Sequence, residues 1–415
     1  MQHEVVEAEG HLIDSHLMEQ IFDTVVEYDG QFEVQEFRIG RTNAEPSYLR
    51  LRVQTEQPSD MDQLLGQLLG LGCTPVDTGD AELAVVERDC CAPEDFYSTT
   101  NHRTMVRCEG EWYEVRDQRM DAMIVISEGR AACRRLRDLR KGDCVVVGMR
   151  GIRVMPESKE RDRLAFAFMS NTISSERQLE TAVRQTAALL EQTRAEGKKI
   201  VVVAGPVVVH TGGAPALAEL IRDGWVSVLL AGNALGVHDI EAALFGTSLG
   251  IRQSDGRQEE HGHRNHMRAI NAIYRAGGIA EAVESGRLTR GIMYECAMAR
   301  VPFVLAGSLR DDGPLPDTIT DMNRAQDAYA DQLKGAGLVL CLGSMLHSIA
   351  VGNMSPSWVK IVCVDINPAV ATKVSDRGTG QAIGVVTDVG QFLGLLAVQL
   401  RREGGESRRA ETLGK

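Results

Sequence analysis

"LVLCLGSMLHSIAVGNM" (residues 338–354) and "KIVCVDINPAV" (360–370) decide how this chain folds. The first reads as a buried strand, a Gly/Ser turn and a helix; the second is another apolar run that stops on an acid, Asp365. A strand, a small-residue turn, a helix and an acid about twenty residues on is the order found in dinucleotide-binding units. The Gly-x-Gly-x-x-Gly fingerprint of the common dehydrogenases does not occur at this turn.

Outward from that stretch, strand and helix patterns alternate. "KIVVVAGPVVV" (199–209), "VSVLLAGNAL" (226–235), "VPFVLAGSL" (301–309) and "GQAIGVVTDV" (380–389) are near-continuous apolar runs. Such runs mark strands buried on both faces of a parallel sheet. Their ends carry Gly205-Pro206, Gly232-Asn233-Ala234, Gly307-Ser308, Gly343-Ser344 and Asp365. In open α/β sheets ligands bind at such carboxyl ends, where small residues let backbone amides approach phosphate. Asp365 would accept hydrogen bonds from a ribose diol and repel a 2′-phosphate, which favours NAD over NADP; the bland alternative is that it caps the turn "DINP".

The amino-terminal part has another grammar. "EVVEAEGHLI", "FEVQEFRIG", "YLRLRVQT" and "AELAVVER" alternate, and "DSHLMEQIFDTVVEY" and "SDMDQLLGQLLGLG" have helical spacing. That order fits a small split βαβ sandwich over 1–95. A β-rich unit follows over 96–160 ("TMVRCEGEWYEV", "DAMIVIS", "GDCVVVGMRGIRVMP"), then a Rossmann-like domain over 161–402 and a flexible tail, 403–415. The fold class is therefore α/β with a largely parallel carboxyl-terminal sheet.

With 415 residues the chain has room for two or three domains. Its net charge of −13 argues against nucleic acid or an anionic membrane as partner. The acidic start "MQHEVVEAEGHL" lacks the features of a signal peptide, so a cytoplasmic location is expected. Nine cysteines without CxxC spacing, Cys90-Cys91 included, read as thiols in a reducing compartment.

Candidate chemistry sits past the strand ends. "GNALGVHDIE" presents His238, Asp239 and Glu241, where a His beside an acid can move protons or simply cap a helix. "SLRDDGPLPD" offers Arg310 as a carboxylate clamp together with Asp311 and Asp312. "TKVSDRGT" contributes Lys373, and "DFYSTTNHRT" clusters polar groups around Asn101 and His102 that could line a substrate pocket. "HGHRNH" (His261, His263, His266) lacks a complete ligand set in its own stretch, and no metal is expected there.

Together "DFYSTTNHRT", "AGNALGVHDIEAALFGTSLG", "GHRNHMRAIN", "VPFVLAGSLRDDGPLPD", "MLHSIAVGNMSP" and "CVDINPAVATKVSDRGT" resemble the family carrying the LOR/SDH conserved region, and within it the archaeal-type, NAD-dependent ornithine cyclodeaminases. The same module is similar to the carboxyl-terminal part of cyanobacterial arginine dihydrolase/ornithine cyclodeaminase fusions, whose dihydrolase domain has no counterpart here. The resemblance implies an NAD-binding fold like that of deoxyhypusine synthase, which needs no Gly-x-Gly-x-x-Gly. It implies cofactor contacts from Asn233, Ala234, Asp312, Ser344, Met345, Leu346, His347, Asp365, Val385 and Val386. Read from the residues themselves, Asn101, His102 and Arg310 are the candidate substrate contacts, and Asp239, Asp312, Lys373 and His238 the candidate acid-base groups. The resemblance further implies conversion of L-ornithine to L-proline and ammonia, by a homo-oligomer. A lysine- or saccharopine-type dehydrogenase and a non-catalytic NAD sensor are the alternatives.

Overall fold

The computed structural model describes residues 2–413 except 11, 14–16, 42–44, 77–78, 156–174, 249–250, 253–263, 312 and 377–381. Two compact units divide the described residues: one gathers those up to 155 with 353–358, and the other the remaining residues from 175 on.

The first unit begins with β1 (Gln2–Gly10), α1 (Leu17–Glu27), β2 (Gln31–Arg38), β3 (Ser47–Thr55), α2 (Pro58–Gly70) and β4 (Thr74–Pro75). These strands form a sheet of order β2-β3-β1-β4, the split βαβ arrangement that the alternating segments imply. β3 alternates buried and half-buried residues along its whole length, because only one face meets α1 and α2. Leu49, Leu51 and Val53 on that face pack with Ile21, Val25, Leu64 and Leu68.

The unit's second sheet contains β5 (Glu82–Val85), β6 (Arg103–Cys108), β7 (Glu111–Arg116), β8 (Met123–Ser127), β9 (Arg130–Arg134), β10 (Cys144–Val147) and β11 (Ile152–Met155), in the order β11-β6-β7-β9-β8-β10-β5. Glu109-Gly110 and Glu128-Gly129 join two of its hairpins with positive φ at both turn residues, the twist that two-residue hairpins favour. "AELAVVER" does not close the first sheet; β5 pairs with β10, and Thr74–Pro75 takes the vacant edge beside β1.

The second unit comprises α3 (Ser175–Ala195), β12 (Lys199–Ala204), α4 (Val207–His210), α5 (Ala214–Arg222), β13 (Val228–Gly232), α6 (Asn233–Phe245), β14 (Thr247–Ser248), β15 (Ile251–Arg252), α7 (Asn265–Ala276), α8 (Ile279–Glu284), α9 (Ile292–Met298), β16 (Phe303–Ala306) and β17 (Thr318–Ile319). α10 (Met322–Leu333), β18 (Ala336–Leu342), α11 (Met345–Met354), β19 (Lys360–Asp365), α12 (Pro368–Asp376), β20 (Ala382–Val386) and α13 (Val389–Leu413) complete it, save that residues 353–358, with the last two of α11, go with the first unit. α13 continues as helix to Leu413, through most of the stretch that the sequence suggests as a tail.

Its main sheet has the order β17-β16-β13-β12-β18-β19-β20, and every pairing is parallel. All seven residues of β18 are buried, as a strand covered on both faces must be. From β12 the chain moves first to one side of the sheet and then, with β18, to the other. The strand order therefore reverses between these two neighbours, which opens a crevice beyond their carboxyl ends.

Candidate active site

Gly205 and Gly343, at the ends of β12 and β18, face each other across that reversal. A Cβ on Gly205 would run into the Gly343 carbonyl, so the close approach admits only glycine there. Gly343 itself has φ +57°, a left-handed turn that leads into α11. The turn residues Ser344, Met345, Leu346 and His347 follow, with Met345 and Leu346 exposed. Ser344 Oγ lies 2.8 Å from His347 Nδ1, and burial holds the His347 imidazole below its ordinary range, so the ring is neutral near pH 7. His347 Cε1 would lie 3.0 Å from a Cβ on Gly232, which brings the β18 turn against the end of β13.

α6 starts at Asn233 with Gly232 as its N-cap and no side chain capping it. Its first amides and dipole thus face the same edge of the sheet. Asn233 is buried; its Oδ1 accepts from Leu315 N and Thr318 Oγ1, both at 2.9 Å, tying the segment after β16 to the start of α6. Ala234 is half-buried beside it.

On the strand next to β18, Asp365 ends β19 in register with Val386 of β20. Its Oδ1 accepts from Asn367 N at 2.8 Å, so the turn reading of "DINP" holds for one carboxylate oxygen. Val385 is buried and Val386 exposed at the same edge. The parallel registers thus collect Asn233, Ala234, Ser344–His347, Asp365, Val385 and Val386 along one edge of one sheet. Glycines at the switch point, an uncapped helix start and an acid on the strand next to β18 fit the two phosphates and ribose of a dinucleotide. Asp312, expected among these contacts, lies outside the described residues.

The acid-base candidates separate. Asp239 does not face the sheet edge: it is buried, and its two oxygens accept from Ile292 N and Met293 N, each at 2.8 Å, capping α9. Burial raises its pKa to about 6 against those two bonds. This is the geometry of a helix cap. His238 is also buried, and its Nδ1 stands 3.5 Å from Glu241 Oε2. Lys373 is exposed on α12, and Arg310 is exposed after β16.

Asn101 and His102 belong to the other unit. Asn101 is fully buried: its Nδ2 donates to Ser355 O at 2.6 Å and its carbonyl accepts from Ser357 N at 3.0 Å. Its position is that of a clamp on 353–358. His261 and His263 lie outside the described residues. His266, however, joins His238 and Glu241 in a cluster that no single sequence stretch reveals.

Comparison with known proteins covers the chain from residue 3 to 396. Residues 184–396 match the family model "Arginine dihydrolase ArgZ-like, C-terminal, Rossmann fold", 103–183 the "first region" of the same proteins, and 3–102 the "LOR/SDH bifunctional enzyme conserved region". An ornithine cyclodeaminase of Methanocaldococcus jannaschii is 48% identical over 405 residues, covering 96% of both chains. Among solved structures, apo ArgZ, a cyanobacterial arginine dihydrolase, aligns with TM-score 0.85 at 45% identity over 97% of this chain and 59% of its own. AgrE, solved as a ternary complex with ornithine and NAD+, aligns at 0.54 and 46% identity, covering 98% of this chain and 58% of its own. This chain therefore spans somewhat over half of those longer proteins. Fold and site together define a Rossmann-fold protein with a nucleotide edge at its switch point and a LOR/SDH region ahead of it. More narrowly, the chain belongs to the family of the archaeal ornithine cyclodeaminases.

Proposed function

We infer that the chain is an NAD-dependent ornithine cyclodeaminase, which converts L-ornithine to L-proline and ammonia. The observation that carries this reading is the glycine-lined switch point with Asp365 on its flank, in a chain alike over 96% of its length to a protein with that activity. NAD, when bound, supplies the reversible hydride acceptor that a conversion with no net redox change requires.

The chain's own groups do the rest. Backbone amides of the 343–345 turn and the first turn of α6 bind pyrophosphate, and Asp365 accepts from the ribose diol. Neutral His347, positioned by Ser344, adds no charge beside the cofactor. Exposed Arg310 is free of the core and suited to hold the α-carboxylate of ornithine. For the δ-amine to attack C2 and the α-nitrogen to leave as ammonia, protons must leave one nitrogen and reach the other. With Asp239 committed to α9, we assign that transfer to Lys373 and Asp312.

Among the described residues no helix is long and apolar enough to cross a membrane. All nine cysteines are free thiols, which supports a reducing, cytoplasmic setting. A homo-oligomer is the expected assembly: β2 is a sheet edge with Phe32 and Val34 exposed on it, and size measurement in solution tests this.

Incubation with L-ornithine and substoichiometric NAD tests the activity, with proline, ammonia and the NADH band followed together. Proline and ammonia in excess of the NAD supplied are expected. NADH accumulating without proline would make the protein a dehydrogenase, and NAD binding without any product would make it a sensor.

A further inference from the structure

His238 and Glu241 lie one turn apart on one face of α6, and His266 enters from the first turn of α7. One ligand atom from each lies within 4.8 Å of the others. Glu241 Oε2 is 3.5 Å from His238 Nδ1 and 3.7 Å from His266 Nδ1. Those separations are too long for hydrogen bonds. They are close to the edge of a tetrahedron around an ion with bonds of about 2.1 Å, roughly 3.4 Å; an octahedron of the same bonds would need roughly 3.0 Å.

Two further observations point the same way. Both Nδ1 atoms are buried, and neither has a hydrogen-bond partner among the described residues; His238 itself is 6% exposed. Buried imidazole nitrogens are rarely left so unless something that the side chains surround takes the place of the missing partner. The carboxylate is also held by a built outer layer. Glu241 Oε1 accepts from Thr247 Oγ1 at 2.8 Å, Thr247 Oγ1 accepts from Asn265 Nδ2 at 3.1 Å, and Asn265 Oδ1 accepts from Arg268 Nη1 at 2.9 Å. This chain of bonds fixes one oxygen and turns the other toward the two imidazoles, as outer-layer partners do around metal ligands.

We propose that His238, Glu241 and His266 bind one divalent transition-metal ion of the zinc class, with water as fourth ligand. Two imidazoles and one carboxylate suit such an ion and disfavour Mg²⁺ or Ca²⁺, which take oxygen. The ion joins α6 to α7. His238 lies five residues past Asn233, about 7.5 Å along the helix axis from the nucleotide edge.

The test uses the full chain freed of metal by a chelator and titrated with Co²⁺, followed by visible absorption. One Co²⁺ per chain is expected, with the strong d–d bands of a tetrahedral site, displaced stoichiometrically by Zn²⁺ and not by millimolar Mg²⁺. Isosteric Glu241→Gln and the partly exposed His266→Ala should each lower Co²⁺ affinity by at least about 100-fold, since loss of outer partners alone costs 10–100-fold. Circular dichroism checks that both variants fold. Absence of saturable Co²⁺ binding to the wild-type chain, or binding that both folded variants retain, would overturn the proposal; so would equal competition by Mg²⁺. None of these readouts depends on ornithine turnover, so the site stands or falls apart from the activity assigned above.

Discussion

β3 and β18 are both central strands, yet they solve different problems. β3 buries every second residue and leaves the others half-buried, so its sheet keeps one face for other uses. β18 buries all seven of its residues and has no face left. A strand enclosed on both sides can offer chemistry only at its ends. In this protein the ends carry Gly343-Ser344 on β18, Gly205 on β12, Asn233 beyond β13 and Asp365 on β19. The difference also separates glycines with different duties. Gly205 is constrained by a backbone neighbour across the switch point, whereas Gly129 turns a hairpin at φ +68° with nothing near its missing side chain.

The contrast is sharpest for Gly205→Ala. The added carbon meets a carbonyl that cannot swing away, so backbone must move at the point where the nucleotide binds. A loss of about 3 kcal/mol or more in stability, with NAD binding falling below detection in calorimetry, is the expected outcome. Unchanged NAD affinity would remove the switch point from the site.

Asp239→Ala comes next. It removes the acceptor of two buried amides at the start of α9 and should destabilise the protein by about 2–4 kcal/mol in denaturant melts. NAD affinity of the protein that remains folded should be unaltered. The pH dependence has a definite sign. The folded pKa of Asp239 is raised from 3.8 to about 6, so the folded state holds the proton more tightly than the unfolded chain. Its contribution is fully present below pH 3.8 and is lost as pH rises through about 6. Asp239→Asn should flatten the stability profile in that window; an identical profile would show that the carboxyl does not titrate there.

Asp365→Ala should weaken NAD binding by about 1–3 kcal/mol, the range for a lost hydrogen bond to a charged group. Asp365→Asn keeps the acceptor for Asn367 N while removing the charge, and should erode the preference for NAD over NADP. If NADP binds no better to Asp365→Asn than to the wild type, the charge does not set the choice. Smallest is Gly129→Ala, with about 1 kcal/mol lost in thermal melts from left-handed strain and no change in NAD binding.

Much of this was legible in the sequence because periodicity reports burial. The runs at 199–209, 226–235 and 338–342 read as strands covered on both faces, as β12, β13 and β18 are, and their small terminal residues marked the ligand edge. Alternation disclosed β1 and β3 equally well, and it marked β2 as a strand although that edge is exposed along nearly its whole length. Partner choice was not legible: nothing local distinguishes "AELAVVER" as a member of the second sheet, because Thr74–Pro75, too short for a periodic signal, holds the edge of the first. Side-chain direction was hidden as well. "VHDIE" places His238, Asp239 and Glu241 within about one helical turn, and helical geometry alone separates them: His238 and Glu241 share a face, while Asp239 turns toward α9. The i, i+3 spacing of His238 and Glu241, set beside a histidine-rich stretch, was the signal for the cluster, but only the packing of α7 on α6 supplies His266.

In a conversion with no net redox change, the hydride that leaves Cα of ornithine for bound NAD would return to the same carbon. Turnover of L-ornithine deuterated at Cα, with product analysed by mass spectrometry and NMR, tests it most directly. Proline that retains the deuterium at Cα, formed in excess over the NAD supplied, is the result predicted. Proline carrying only solvent hydrogen at Cα, or deuterium that accumulates on released reduced cofactor, would contradict it.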